Sequence, residues 1–328
     1  MMRRRAWLGS ALAGAAAAAW GAAPSAPAQA GAGPLAYITN QGSHNVSVLD
    51  VRAARVLTTI AVGKEPAGVV AVPARREVFV ANAGAGTLSV IDARVQAVVA
   101  EISVGAGGAV GIDASADGRW VYVADWFGAQ LLTVSAAQRR IQQRTPLGPA
   151  PAGVAADGAL VWVAERDDNR VALLDPQAGR VLARVAVGEH PFGLLLDAPR
   201  QRLYVLNVYS NDVSVIDTTR RRVTATLPCG ESPYGAALAD GGQRLYVTNQ
   251  RGDSLSVWQA GSLKPLPGID GLGYPEGIAA TGDTLVAVNW MDDDASLMDA
   301  RTGAERVRVP VGKNPRAFGH FILPPPKG

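Results

Sequence analysis

The sequence predicts an all-β protein, a seven-bladed β-propeller of four-stranded antiparallel blades, closed by a C-terminal strand that completes the first blade. Three markers predict it. A polar residue ends an apolar strand at Asn40, Asn82, Asp125, Glu165, Asn207, Asn249 and Asn289, at intervals of 40 to 43 residues. A second strand ends near Asp50, Asp92, Ser135, Asp175, Asp217, Gln259 and Asp299. A glycine closes the next strand at Gly63, Gly105, Gly148, Gly188, Gly230, Gly271 and Gly312. The markers keep step across residues 35–323, and a unit of about 42 residues is the size of one propeller blade.

The first element in chain order is a leader. Residues 1–30, "MMRRRAWLGSALAGAAAAAWGAAPSAPAQA", have a basic start, a soft apolar run and a small-x-small site at Ala28-Gln29-Ala30, the layout of an export signal. Arg4-Arg5-Ala6-Trp7-Leu8 resembles a twin-arginine signal, with an ordinary secretory signal and an uncleaved anchor helix as the competing readings. The mature chain, 31–328, is expected to be one domain in the periplasm or secreted, with no membrane span after cleavage. The leader also holds the excess charge. The net charge is +3, but outside Arg3, Arg4 and Arg5 there are 28 basic and 28 acidic residues, so the phosphate-driven binding of nucleic acid is not expected.

The blades come next. Runs such as "LYVTN" and "VSVID" are more apolar than half-exposed strands, as expected where neighbouring sheets cover both faces. Three residues before each strand-ending polar residue stands an aromatic: Tyr37, Phe79, Tyr122, Trp162, Tyr204 and Tyr246, with Val286 breaking the series. These are assigned to the core. The strand-ending Asn and Asp residues are expected to turn the chain by bonding their own backbone, and the closing glycines to supply positive φ. The chain begins on a second strand, "LAYITN", and ends on an orphan innermost strand, "PRAFGHFIL". Pairing the two hides edges that otherwise invite aggregation. The single cysteine, Cys229, stands where sibling repeats carry valine, and reads as a small core hydrophobe.

The phrases "YITN", "FVAN", "YVLN" and "YVTN", with "VSVID" and "VG-x-x-P-x-G", resemble the YVTN-repeat seven-bladed β-propellers, including YncE-like periplasmic proteins, over essentially the whole mature chain. The resemblance implies fold more than function. Its relatives include surface-layer proteins, proteins associated with quinoprotein amine dehydrogenases (the beta-chain-like propellers) and haem-binding propellers of nitrite reductases, and a fold does not transmit activity.

Departures from the repeat then become candidates for function. The loops leading into the innermost strands read "KEPAG", "AGGAVG", "PAPAG", "EHPFG", "ESPYG", "LGYPEG" and "KNPRAFG". With the corners after the "YVTN" strands they are expected to open on one face, where propeller ligands gather. The expected ligand-binding residues are His190, Phe192, Tyr234, Tyr274, Glu276 and Arg316, ringed by Trp126, Tyr209 and Trp290; rings mixed with acids suit an amphipathic or cationic group. Binding of a small organic ligand, a peptide or an exported protein is expected, rather than turnover, with no cofactor and no catalytic residue named. The alternative is a redox-associated propeller that holds a haem-type cofactor, with His190 as axial ligand, or docks a quinoprotein dehydrogenase system. Other chemistries lack their residues. His44, His190 and His320 share no metal-site spacing, and Asp292-Asp293-Asp294 lacks the glycine of a calcium loop. The chain has no Gly-x-Ser-x-Gly, no phosphate-loop Gly-x-x-x-x-Gly-Lys and no Cys-x-x-Cys-His.

Overall fold

The computed structural model describes residues 33–105 and 107–326; the leader expected over residues 1–30 lies outside them. Seven four-stranded antiparallel sheets form the fold, a seven-bladed β-propeller. Blades 2 to 7 run from innermost to outermost strand in chain order, over residues 66–103, 109–146, 151–186, 191–228, 233–270 and 275–310. Blade 1 takes three strands from residues 35–61 and its innermost strand, Ile322–Leu323, from the far end of the chain. Leu323 and Ile322 pair with Leu35 and Ala36. The closing segment also accepts bonds from blade 2: the N–H groups of Val69 and Ala71 donate to the carbonyls of Phe318 and His320 at 2.9 and 2.7 Å. Closure thus ties the last segment to two blades at once.

The aromatic series fills the space between sheets. Tyr37, Phe79, Tyr122, Trp162, Tyr204 and Tyr246 are all buried, and so is Val286. Phe79 of blade 2 shares a cluster with Ile112, Val121 and Val123 of blade 3. Trp162 of blade 4 does the same with Leu203 and Val205 of blade 5. Cys229 is part-buried against the apolar cluster of blades 5 and 6, and burial pushes its thiol pKa up to about 12.

Two structural roles differ from the expectation. The strand-ending asparagines do not turn the chain; they clamp it. Each buried amide donates across the sheet to the polar residue five positions on and to the serine seven positions on, as Asn207 does to Asp212 and Ser214 at 2.6 and 3.0 Å. Asn40, Asn82, Asn249 and Asn289 repeat the pattern. The closing glycines at Gly63, Gly188, Gly230 and Gly312 have ordinary φ; a Cβ there would strike the amide of Asn82, Asn207, Asn249 or Asn40. Gly105 and Gly271 keep the expected positive φ, at 156° and 89°. At the four former positions the glycine is small because the clamp stands against it.

In blades 3 and 4 the clamp changes as a set. Asp125 accepts from Gln130 at 2.7 Å and from the Gly128 N–H at 2.9 Å. Glu165, fully buried, accepts from Arg170, from Arg184 at 2.9 and 3.1 Å, and from the Gly148 N–H at 2.7 Å. Burial works to raise the Glu165 pKa, but the bonds from Arg184, Gly148 and Arg170 outweigh it and hold the carboxyl below its ordinary range.

At the axis, the glycine near the start of each innermost strand has another cause. A Cβ on Gly68, Gly111, Gly153, Gly193 or Gly235 would collide with the carbonyl of Val110, Ala152, Phe192, Tyr234 or Glu276 on the next blade. Innermost strands approach that closely around the ring, so the residue before each glycine is pressed toward its siblings. Among the described residues no helix is long and apolar enough to cross a membrane.

Candidate functional site

The lead-in loops and the strand corners lie side by side in every blade. The N–H groups of Trp126, Val208, Gln250 and Trp290 donate to the carbonyls of Gly108, His190, Ser232 and Tyr274 at 2.8–3.2 Å. The residue before the proline is left-handed in six of these loops: Glu65, Ala150, His190, Ser232, Tyr274 and Asn314, with φ of 50–58°. Side chains with a Cβ resist that conformation, and a preceding corner holds it. Asn169, Asn211, Asp253 and Asp293 each accept the N–H of the residue 21 positions later, namely His190, Ser232, Tyr274 and Asn314, at 2.8–2.9 Å. His44 does the same for Glu65 through Nδ1. The backbone of His190 and of Tyr274 is therefore fixed by the repeat.

Each carboxylate of the acidic run Asp292-Asp293-Asp294 has a partner. Asp292 pairs with Arg308 at 2.9 Å, Asp293 with Lys313 at 2.6 Å, and Asp294 accepts from Asn289 at 2.7 Å. Among the described residues no group of three or more metal-binding side chains converges.

The slot after the proline faces the axis, and here the predicted residues converge inward. Phe192 stacks on Tyr234 with ring centroids 4.5 Å apart, and Phe318 lies 5.0 and 5.6 Å from the two. Phe192 and Tyr234 are buried, and so is Glu276. Arg316 grips Glu276 through Nε and Nη2, at 2.6 and 3.0 Å. It also donates to the Tyr234 hydroxyl at 3.0 Å, and Gln250 completes Glu276 at 2.7 Å. Burial raises the Tyr234 pKa despite the opposing field of Arg316. Burial also works against the charge of Arg316, but Glu276 and Tyr234 outweigh it and raise its pKa. These four predicted residues, expected to line an open mouth, form a plug with a satisfied ion pair at its edge. The ring geometry that demands P-x-G glycines crowds them together.

The other predicted residues make a rim outside the plug. The Arg166 guanidinium lies over Trp126 and over Tyr209, 5.4 and 5.6 Å from their centroids. His190 stacks on Tyr209 at 4.0 Å. Tyr274 and Trp290 form a separate pair at 5.4 Å. Tyr209 of this rim is 54% exposed, and two further apolar side chains are exposed on the corners of blades 3 and 7, Phe127 at 78% and Met291 at 63%. Sequence reasoning named neither Arg166, Phe318, Gln250 nor Met291 as candidates. Phe318 had a signal: "PRAFG" is two residues longer than "PFG" or "PYG", so the last strand places both Arg316 and Phe318 where its siblings place one side chain.

A haem-type group at His190 fits poorly. The imidazole lies against Tyr209, its Nδ1 is buried, and the axis beside it is filled by Phe192, Tyr234 and Phe318. A planar macrocycle has to displace that packing, at a cost of several kcal/mol for each large core ring removed from its neighbours.

These features define a seven-bladed propeller with a filled axis at its loop face and an aromatic rim around it. Solved structures share the architecture. Hydrazine synthase of Kuenenia stuttgartiensis matches with a TM-score of 0.71 and 20% identity, over 80% of this chain and 91% of that one. A functionally unknown protein from Desulfotomaculum acetoxidans matches with a TM-score of 0.75 and 14% identity, over 89% and 99%. Dihydro-heme d1 dehydrogenase NirN, in complex with DHE, matches with a TM-score of 0.65 and 20% identity, over 87% of this chain and 66% of that one. At such identities the likeness is one of fold. No family model matches the sequence, and no curated protein matches it.

Proposed function

We propose that the chain is an exported binding module of the YVTN, YncE-like type, which docks a peptide or protein partner on its loop face. The observation that carries this is the trio Phe127, Tyr209 and Met291, large apolar side chains held in the open on three corners of one face. A partner that covers them recovers free energy in proportion to the apolar area taken from water. The Trp126–Arg166–Tyr209–His190 stack supports the reading. It offers rigid aromatic surface and one guanidinium, the residue types enriched at binding hot spots. The plug beneath favours a partner that lies across the face over a small molecule seated in the axis.

The test is affinity capture from the native compartment with wild type and with the triple variant Phe127→Ala, Tyr209→Ala, Met291→Ala. The variant keeps its thermal midpoint within a few degrees, since exposed substitutions change stability by about 0.5 kcal/mol or less each, and it loses the partner. Undiminished capture puts the binding surface elsewhere. An absorbance spectrum of protein from its native compartment tests the redox alternative: a Soret band that disappears in His190→Ala replaces the docking reading with a haem-holding one.

A further inference from the structure

The other end of the axis is built differently. On the far side of the plug the channel opens into a cavity of about 310 Å³, at the small end of the usual range for ligand sites. Its walls combine aliphatic side chains, from Ile112, Val154, Leu194, Leu196, Leu238 and Ile278, with the bare backbone of Gly153, Gly193, Gly235 and Gly277. His320 lines this cavity and also a second one of about 260 Å³, where Asp113 stands. The two spaces share His320, whose side chain is 63% exposed.

Asp113 departs from the repeat. The same slot of the other innermost strands holds Val70, Ala155, Leu195, Ala237 and Ala279. Its side chain is 10% exposed, and the carboxylate accepts the N–H groups of Ala114 and Ala156, both at 2.8 Å. The imidazole Nε2 of His320 is 4.0 Å away, beyond hydrogen-bond reach. Burial raises the Asp113 pKa, against the field of His320. No lysine or arginine is among the residues that line either cavity. The carboxylate therefore has no cation within hydrogen-bond reach, and a cation brought beside it supplies the counter-charge that favours its ionised form.

We infer that this end of the channel binds a small organic cation, a protonated amine with a short aliphatic body. The ammonium sits beside the Asp113 carboxylate as His320 swings aside, and the hydrocarbon lies along the Ile112–Leu194–Ile278 wall. Each methylene taken from water into that wall adds to the affinity. An anion finds no partner here, and a neutral alcohol keeps the wall contact but loses the charge pair. The site is separate from the proposed docking face, with the aromatic plug between them.

The experiment is calorimetric titration of the protein with hexylammonium, hexanol and hexanoate, followed by methyl NMR of the wild type. Hexylammonium is expected to bind saturably, about tenfold or more tighter than hexanol, with hexanoate not binding. Asp113→Asn removes that preference and leaves hexanol unchanged, and Ala236→Phe, which fills the channel, abolishes both. Should a variant fail to fold, the wild-type spectrum still decides: hexylammonium shifts the Ile112 and Ile278 methyls and leaves the Met291 methyl in place. Absence of saturable binding, equal affinity for the three probes, or shifts confined to the rim overturns the inference.

Discussion

Glu276 and Asp113 are buried carboxylates at opposite ends of one axis, and they are treated in opposite ways. Glu276 meets Arg316 through two bonds and Gln250 through a third. Asp113 receives two backbone N–H groups and no close cation. A charge that departs from the repeat and is neutralised by another departure builds structure. A charge that departs alone, beside a cavity, is a place for something to bind. The same contrast separates Glu165, gripped by two arginines, from Asp113.

The largest expected effect strikes both ends together. Residues 314–328 supply Arg316 and Phe318 to the plug, His320 to the opposite mouth and the strand that closes the ring. Deleting them strips the inner edges of blade 1 and blade 2, and the product is expected to aggregate or to lose its cooperative melting transition. A truncation as stable as the full chain breaks the account of closure.

Next is the ion pair at the plug. Glu276→Gln leaves Arg316 buried without its anion and is expected to cost about 3–5 kcal/mol in denaturant unfolding, while the paired change Glu276→Leu with Arg316→Met restores most of that loss. Asp113→Asn removes a charge without a cation partner but leaves one of the Ala114 and Ala156 N–H groups without its acceptor, and is expected to cost less, about 1–3 kcal/mol. Equal losses from Glu276→Gln and Asp113→Asn erase the distinction between the two ends.

The smallest effect is in the pH dependence, where the signs differ. The folded pKa of Glu165 is lowered, so its contribution is present above the unfolded value and disappears as pH falls through the folded one. The folded pKa of Asp113 is raised, so its contribution is present below the unfolded value and is lost as pH rises through the folded one. Thermal midpoints measured from about pH 3 to about pH 8 should show Glu165→Gln losing stability relative to wild type on the neutral side, and Asp113→Asn gaining it there. Parallel curves for the two variants contradict these assignments.

Much of the fold was legible because a repeat is its own control. The three markers, the aromatic slot and the orphan strand "PRAFGHFIL" all describe backbone pairing, which period and register dictate. The closing glycines are legible, but positive φ explains only Gly105 and Gly271; at Gly188 φ is ordinary, and the Ser210 hydroxyl and Asn207 amide bar a side chain. The rim and plug residues were also found, as Phe192, Tyr234, Glu276 and Arg316 all break the repeat. What sequence did not carry is which way they face. The slot after each proline points to an axis so crowded that backbone meets backbone, and only the ring as a whole shows that these side chains fill it. Asp113 was hidden for a simpler reason: "VGIDAS" reads like another strand ended by an aspartate, and alignment on the P-x-G slot is needed to see that its siblings are apolar.

Site-specific photo-crosslinking in the native host tests the central claim, that the exposed corners of the loop face are where this ring meets a partner. A photoreactive residue is placed at Phe127, Tyr209 or Met291, with Thr59 on the outer wall as the control, and adducts are resolved by mass. The account predicts one discrete partner adduct common to the three corner positions and missing from Thr59. No adduct at the corners, or the same adduct from the outer wall, contradicts it.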